Sequence, residues 1–329
     1  MGFAELIGHT KQLDALRAAL ANQRLHHAYL FSGPDGVGKR SIATALAKAI
    51  HCSELSGDYC DRCANCASII DGNHPDVRVV QPLPGKKEIS IHQVRDIERE
   101  LRYRSFTGKR KLAIIDPAAC MNVAAQNALL KTLEEPPENS LIVLVTPNGG
   151  GLLPTLRSRC LRLSFAPLPR NQVTAYLKAT LNIQGDDAEF LAAMSMGSIG
   201  VAINLDQQAL IEKRRIWTGM LSALRTADYR AAIAAAEALA ANREEALEFL
   251  KWAESWYRDL LIHGVTHQPD ELVNLDMLPQ IEAHSSIHGG TDRALAALAR
   301  IGAAGAGIQR NLNRRMVMEK LLFGLVEGR

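Results

Sequence analysis

Gly33-Pro34-Asp35-Gly36-Val37-Gly38-Lys39-Arg40-Ser41 follows a short apolar run, Ala28-Tyr29-Leu30-Phe31, and precedes the helix-periodic stretch Ile42 to Ile50. The order reads strand, glycine loop, helix. The loop departs at one position from the phosphate-binding pattern G-x-x-x-x-G-K-[ST]. Gly33, Gly36 and Gly38 let backbone N–H groups curl round phosphate oxygens, and the helix start adds the positive end of its dipole. Lys39 stands where it would reach the β- and γ-phosphates. The next position calls for a Ser or Thr that holds Mg²⁺, and here it is Arg40. Ser41 cannot substitute, because one residue along a helix turns the side chain by roughly 100°. A loop that can cradle phosphate but lacks its metal ligand points to a nucleotide fold with impaired chemistry.

Outward from this loop, the same alternation continues. Val77 to Val80, Lys111 to Ile115, Leu141 to Val145 and Leu161 to Phe165 read as strands. Between them, Ile91 to Arg104 and Asn122 to Glu135 read as helices, the second stopped by Pro136-Pro137. Strands alternating with helices predict a parallel sheet covered on both faces. After Pro167-Leu168-Pro169 no convincing strand follows. Asn171 to Leu181, Asp187 to Met196 and Ser198 to Leu205 suggest a small helical domain. From Gln208 onward the chain reads as helical, with Trp217, Trp252 and Trp256 as core and the Ala-rich 231–241 stretch as tight helix packing. Gly302, Gly305 and Gly307 predict a bend or break in the long helix near the end.

The bulk composition, 47% hydrophobic and 22% charged with a net charge of +3 over 329 residues, is that of a soluble globular chain of two or three domains. No apolar run of membrane-spanning length exists, and the N-terminus has no signal-peptide pattern, so the reading is cytoplasmic with no membrane partner. Cysteines there stay reduced, which favours metal over disulfide for a close cluster. Cys52, Cys60, Cys63 and Cys66 form C-x7-C-x2-C-x2-C. Four thiolates at this spacing suit tetrahedral Zn²⁺ in a closed, structural site. Free buried cysteines or a redox C-x2-C are the competing readings.

Lys111-Leu112-Ala113-Ile114-Ile115-Asp116 has the form of a Walker B strand, whose Asp sits near Mg²⁺. Hydrolysing chains place a Glu next, to orient the attacking water. Here Pro117 follows, which offers no base. A strand-ending Asp116 can equally be a cap. A basic run, Arg95, Arg99, Arg102, Arg104, Lys109, Arg110 and Lys111, could face nucleic-acid phosphates, although interleaved Glu98 and Glu100 fit a solvated helix face as well. His74 before Pro75 could be a ligand but reads better as a turn residue, and His26 and His27 read as structural.

Asn127-Ala128-Leu129-Leu130-Lys131-Thr132-Leu133-Glu134-Glu135-Pro136-Pro137, followed by Ser158-Arg159-Cys160, closely resembles the clamp-loader branch of the AAA+ ATPases. The four-cysteine insertion fits its bacterial members. Asn73-His74-Pro75-Asp76 and Gly197-Ser198-Ile199-Gly200-Val201-Ala202 resemble the delta-prime type within DNA polymerase III, and Arg310 to Glu319 resembles the end of the family's collar domain.

The resemblance implies an α/β P-loop AAA+ core with a parallel sheet, a small helical lid domain and an all-α C-terminal collar domain. The implied division is 1–166 for the core with its inserted zinc module at 52–66, 167–206 for the lid and 207–329 for the oligomerising collar. It implies a non-hydrolysing subunit that helps load the sliding clamp onto primed DNA. Its partners would be gamma/tau and delta subunits in a hetero-pentamer, the sliding clamp, and primer-template DNA through the complex. Arg159 would be an arginine finger acting in trans on a neighbour's ATP. Gly33, Gly36, Gly38, Lys39 and Asp116 would form a degenerate site that can bind ATP or ADP without turnover. Competent relatives carry a sensor Arg where this chain has Gly200. The runner-up is the ATP-hydrolysing gamma/tau-type motor of the same machine, against which Arg40, Pro117 and Gly200 speak. A stand-alone P-loop kinase would need an acceptor site and a metal hydroxyl, and neither is visible.

Overall fold

A computed structural model describes residues 2–183, 185–205, 207–223, 229–267, 272–288 and 290–327. Met1 and Arg329, the outer ends of the core and collar divisions, lie outside the described residues. The chain forms two compact units. The first holds Met1–Val173 together with Gly197–Val201, and the second holds Thr174–Met196 with Ala202–Arg329.

The first unit is built on a parallel sheet of five strands: β1 Ala28–Ser32, β2 Val77–Val80, β3 Lys111–Ile115, β4 Ser140–Thr146 and β5 Leu161–Ser164. Their spatial order is β2-β3-β4-β1-β5. In register, Leu30 pairs with Leu144 on one side and Arg162 on the other, and Ile114 pairs with Val143. The three inner strands are buried along their whole length, as parallel strands covered on both faces must be. The edge strands are not: β5 has no buried residue, and β2 is buried only at its two ends.

One face is covered by α1 Thr10–Ala21 and α2 Lys39–His51, with α3 Ala64–Ile70 beside them. The other is covered by α4 Ile91–Arg102 and α5 Val123–Glu134. Each helix of the second face has a sequence-encoded start. Ser90 and Gln93 form a reciprocal capping box on α4, and the Asn122 side chain accepts the Ala125 N–H at 2.9 Å on α5. The short α6 Pro154–Arg157 leads into β5. This is the α/β core with a helix-covered parallel sheet and a glycine loop after its first strand that the sequence implied.

The helices α7 Arg170–Thr180, α8 Gly185–Met194 and α9 Ile199–Asn204 follow, and then α10 Gln207–Ala223, α11 Tyr229–Leu239, α12 Arg243–Thr266, α13 Leu278–His288, α14 Thr291–Gln309 and α15 Arg314–Glu327. No strand occurs here among the described residues. Trp217, Trp252 and Trp256 are buried core, with the indoles of Trp252 and Trp256 stacked at 5.6 Å. Arg214 is buried too. It makes a two-pronged ion pair with Asp276 at 2.8 and 2.6 Å and lies 4.2 Å from the centre of the Phe190 ring. The expected break at Gly302, Gly305 and Gly307 does not occur, and α14 runs unbroken through all three. Its buried face of Ala294, Ala297, Ile301, Ala304 and Ile308 holds the helix, and packing of that kind outweighs the cost of about 1 kcal/mol per helical glycine.

Candidate functional site

Strand β1 delivers the glycine loop to the start of α2, and β3 delivers Asp116 beside it. Lys39 is almost wholly buried, and its Nζ donates to the carbonyls of Gly33 at 2.6 Å and Pro34 at 2.5 Å. Burial pulls the amine's pKa down, with Asp35 and Asp116 opposing the shift. The Arg40 Nη1 lies 3.8 Å from Asp116 Oδ2. Burial pushes the Asp116 carboxyl up, and the cations of Arg40 and Lys39 pull it back. The carboxylate that would face a metal is therefore paired with a guanidinium, at the position where a metal-binding hydroxyl is missing. Pro117 follows directly, so no side chain at that point can accept a proton from water.

Arg159 is positioned from α5. Gln126 is buried on that helix. Its amide donates to Met121 O at 3.0 Å and accepts the Leu153 N–H at 2.8 Å, which fixes the start of α6. Leu156 is buried in the same core cluster. Just past α6, Arg159 is about one-third exposed. It pairs with Glu134 at 2.6 Å and donates to Thr155 O at 2.8 Å. A cleft of about 410 Å³ opens beside it, lined by His26, His27, Glu134, Ser158, Arg159 and Cys160. The histidines that the sequence left as structural thus stand with Arg159. His26 Nδ1 is held by the Ala28 backbone, and His27 Nε2 is a buried atom with no hydrogen-bond partner. Nothing in the sequence signals this meeting, because His26 and His27 lie far along the chain from Arg159 and are brought near it by the pairing of β1 with β5.

Cys52, Cys60, Cys63 and Cys66 are all buried, with sulfurs within 4.8 Å of one another. Cys52 caps the end of α2 and Cys63 the start of α3. Backbone N–H groups point at the sulfurs: Leu55 to Cys52 at 3.3 Å, Cys63 to Cys60 at 3.3 Å and Cys66 to Cys63 at 3.5 Å. Such bonds favour thiolates. Burial pushes the Cys66 thiol up to about 12, while Cys63 is held down at about 5 by the bonds it accepts from Ser53 and Cys66, which together outweigh its own burial. A set this compact carries several negative charges only around a cation, and a tetrahedral, soft-ligand metal such as Zn²⁺ fits it. The module is anchored to the main core through Tyr59, whose hydroxyl donates to Gly2 O at 2.9 Å and whose ring lies 5.5 Å from Phe3.

The sequence places Asp76 in a family signature but gives its carboxylate no role. Asp76 is 2% exposed and accepts from Ser105 Oγ, Phe106 N, Thr107 N and Thr107 Oγ1 at 2.8–2.9 Å. His74 is the turn residue expected, its Nδ1 accepting the Asp76 N–H at 3.1 Å. The basic run is not one continuous face. Lys111 is buried and lies 3.7 Å from Asp76, Lys109 donates to Cys52 O at 2.9 Å, and Arg99 pairs with Asp96 at 3.0 Å.

The family model described as "DNA polymerase III, delta subunit" matches residues 8–169. A DNA polymerase III subunit delta' of Bacillus subtilis is 31% identical over 96% of this chain and 95% of its own length. The delta' subunit of Pseudomonas aeruginosa is 33% identical over 82% of each. A tau/gamma subunit of Haemophilus influenzae is 36% identical, but over 63% of this chain and only 31% of its own length. Among solved structures, a gamma subunit-related protein from Thermotoga maritima covers 97% of the chain at 19% identity and a TM-score of 0.43, too low to bear on function. Matching over nearly the full length of both chains is found with delta' subunits, and the chain belongs to the bacterial DNA polymerase III delta-prime family.

Proposed function

We propose that this chain is a non-hydrolysing, delta-prime-type subunit of a replicative clamp loader. It would stand in a hetero-pentamer with gamma/tau and delta subunits, help place a sliding clamp on primer-template DNA, and work in the cytoplasm as a component of the polymerase III holoenzyme. The observation that carries the reading is the Arg40–Asp116 ion pair, which puts a guanidinium against the carboxylate that would hold magnesium. Pro117 and Gly200, in place of a general base and a sensor arginine, support it. The division into core 1–166, lid 167–206 and collar 207–329 is part of the proposal. So is a structural Zn²⁺ on Cys52, Cys60, Cys63 and Cys66, which would hold the segment between α2 and α3. ATP or ADP would be held, if at all, by Gly33, Gly36, Gly38 and Lys39 without turnover.

Arg159 acts in trans. Phosphoryl transfer spreads charge over the γ-phosphate oxygens, and a guanidinium offers planar donors that never deprotonate. A chain without its own metal ligand and base has no use for that group in cis. The pair with Glu134 holds the side chain ready at the edge of an open cleft. Arg159→Ala should assemble normally with gamma/tau and delta. It should lower DNA-stimulated ATP turnover only partly, because a finger worth ~10³–10⁵ in rate is lost at one site of several. Arg159→Lys should rescue poorly. Clamp loading at the unmutated rate by the Arg159→Ala complex would contradict the assignment.

A further inference from the structure

The glycine loop is not open. Residues Gly197–Val201, far away in sequence, group with the α/β unit and lie on the crest of the loop. The Gly200 N–H donates to the Gly36 carbonyl at 2.8 Å, and the Ser198 hydroxyl donates to the Asp35 carbonyl at 2.8 Å. The same hydroxyl accepts the Val201 N–H at 3.1 Å, so Ser198 ties the start of α9 to the loop.

Glycine is required on both sides of this contact. Gly36 has φ +73°, and a Cβ there would collide with the Ser198 side chain and stand 3.0 Å from Val201 N. A Cβ on Gly200 would stand 2.8 Å from Gly36 Cα and 3.0 Å from Gly36 O. From the other side, Lys39 places two of its three donors on the loop carbonyls of Gly33 and Pro34. The loop that would receive phosphate is thus occupied by the chain itself.

We propose that Gly197–Val201 is a latch that closes the phosphate loop, so that a nucleoside di- or triphosphate binds this chain only when the latch lets go. Binding needs a free loop crest, which the latched state does not offer, and draws the Lys39 ammonium from the loop carbonyls towards the phosphate. Apparent affinity is then the intrinsic affinity scaled by the unlatched fraction. Gly200 gains a role beyond a lost sensor: no side chain, arginine included, fits there while the latch is shut. The proposal rests on the reading of Gly33–Lys39 as a nucleotide loop. It is tested on the isolated full-length chain, so its failure leaves the trans role of Arg159 standing.

The test compares wild type, Ser198→Ala and Gly200→Ala by titration with a fluorescent ADP analogue, together with hydrogen exchange at the Gly200 amide. Ser198→Ala should bind about fivefold tighter, the worth of one neutral hydrogen bond. Gly200→Ala should gain tenfold or more. In both variants the Gly200 amide should exchange faster than in wild type, and Lys39→Ala should abolish the binding. Far-UV circular dichroism checks that each variant is folded, and Ser198→Ala alone carries the test should Gly200→Ala not fold. Equal affinities, no binding by any of the proteins, or unchanged exchange at Gly200 in Ser198→Ala would each overturn the latch.

Discussion

Asp76 is buried and ionised, and its carboxylate clamps residues 105–107 before β3 begins. Burial pushes its pKa up, but the hydrogen bonds from Thr107, Phe106 and Ser105 together outweigh this and hold it at about 2, below the ordinary 3.8. A depressed carboxyl stabilises the fold above its unfolded pKa and loses that contribution as pH falls through the folded one. The Asp76 contribution, on the order of 2 kcal/mol, should therefore be complete above about pH 4 and fade towards pH 2. Asp76→Asn should lower unfolding free energy by about 2 kcal/mol at pH 7 in urea titrations, and the gap to wild type should shrink at pH 2.5. A gap of equal size at both pH values would contradict this. The sequence marked Asn73-His74-Pro75-Asp76 as a turn and a family signature. It could not show where the carboxylate goes, because its donors lie about thirty residues on, in a loop with no periodicity of its own. Arg40 and Pro117, in contrast, were legible at once, because the phosphate-loop and Walker B patterns fix what each position must do.

The elements divide in the same way. Inner strands are short, unbroken apolar runs, and β1, β3 and β4 were plain from composition alone. The edge strand β5, named from Leu161 to Phe165, forms over Leu161–Ser164 although only Leu163 of these residues is partly buried. Local glycine content misled at α14, where the packed face decides. The cysteine spacing picked out the four residues that the fold brings together, but not their union with the main core through Tyr59 and Phe3. Protein purified without chelator should carry one zinc per chain by elemental analysis. Cys60→Ser, or extraction of the metal, should make residues 52–70 sensitive to protease while the sheet persists. A structural metal contributes on the order of 10 kcal/mol at sites that fold only around it, and the proposed zinc would contribute less here because Tyr59 and Ile69 are already packed. Zinc-free protein that resists protease in this segment would rule out a structural metal.

Across the whole chain, the sequence identified an α/β half and a helical half. The compact units do not break where the composition shifts: Gly197–Val201 belongs with the α/β unit, and α8 belongs with the later helices. Such groupings depend on contacts between distant residues, which no local pattern encodes. Within the second unit, Phe190 of α8 is buried against Arg214 of α10. Removing residues 207–329 should therefore leave α8 uncovered and easily cleaved, abolish assembly with gamma/tau and delta in size-exclusion mixing, and spare the α/β unit. Assembly by the shortened chain would refute the collar as the oligomerising part. Among the described residues no helix is long and apolar enough to cross a membrane.

For a subunit proposed not to hydrolyse ATP, steady-state turnover by the purified chain is the decisive measurement. Wild type should show no turnover, with or without primed DNA, and Arg40→Thr none either, because Pro117 still supplies no base. A DNA-independent rate near the order of 1 s⁻¹, the lower end for competent phosphoryl-transfer enzymes, retained through purification and abolished by Lys39→Ala, would contradict the proposal.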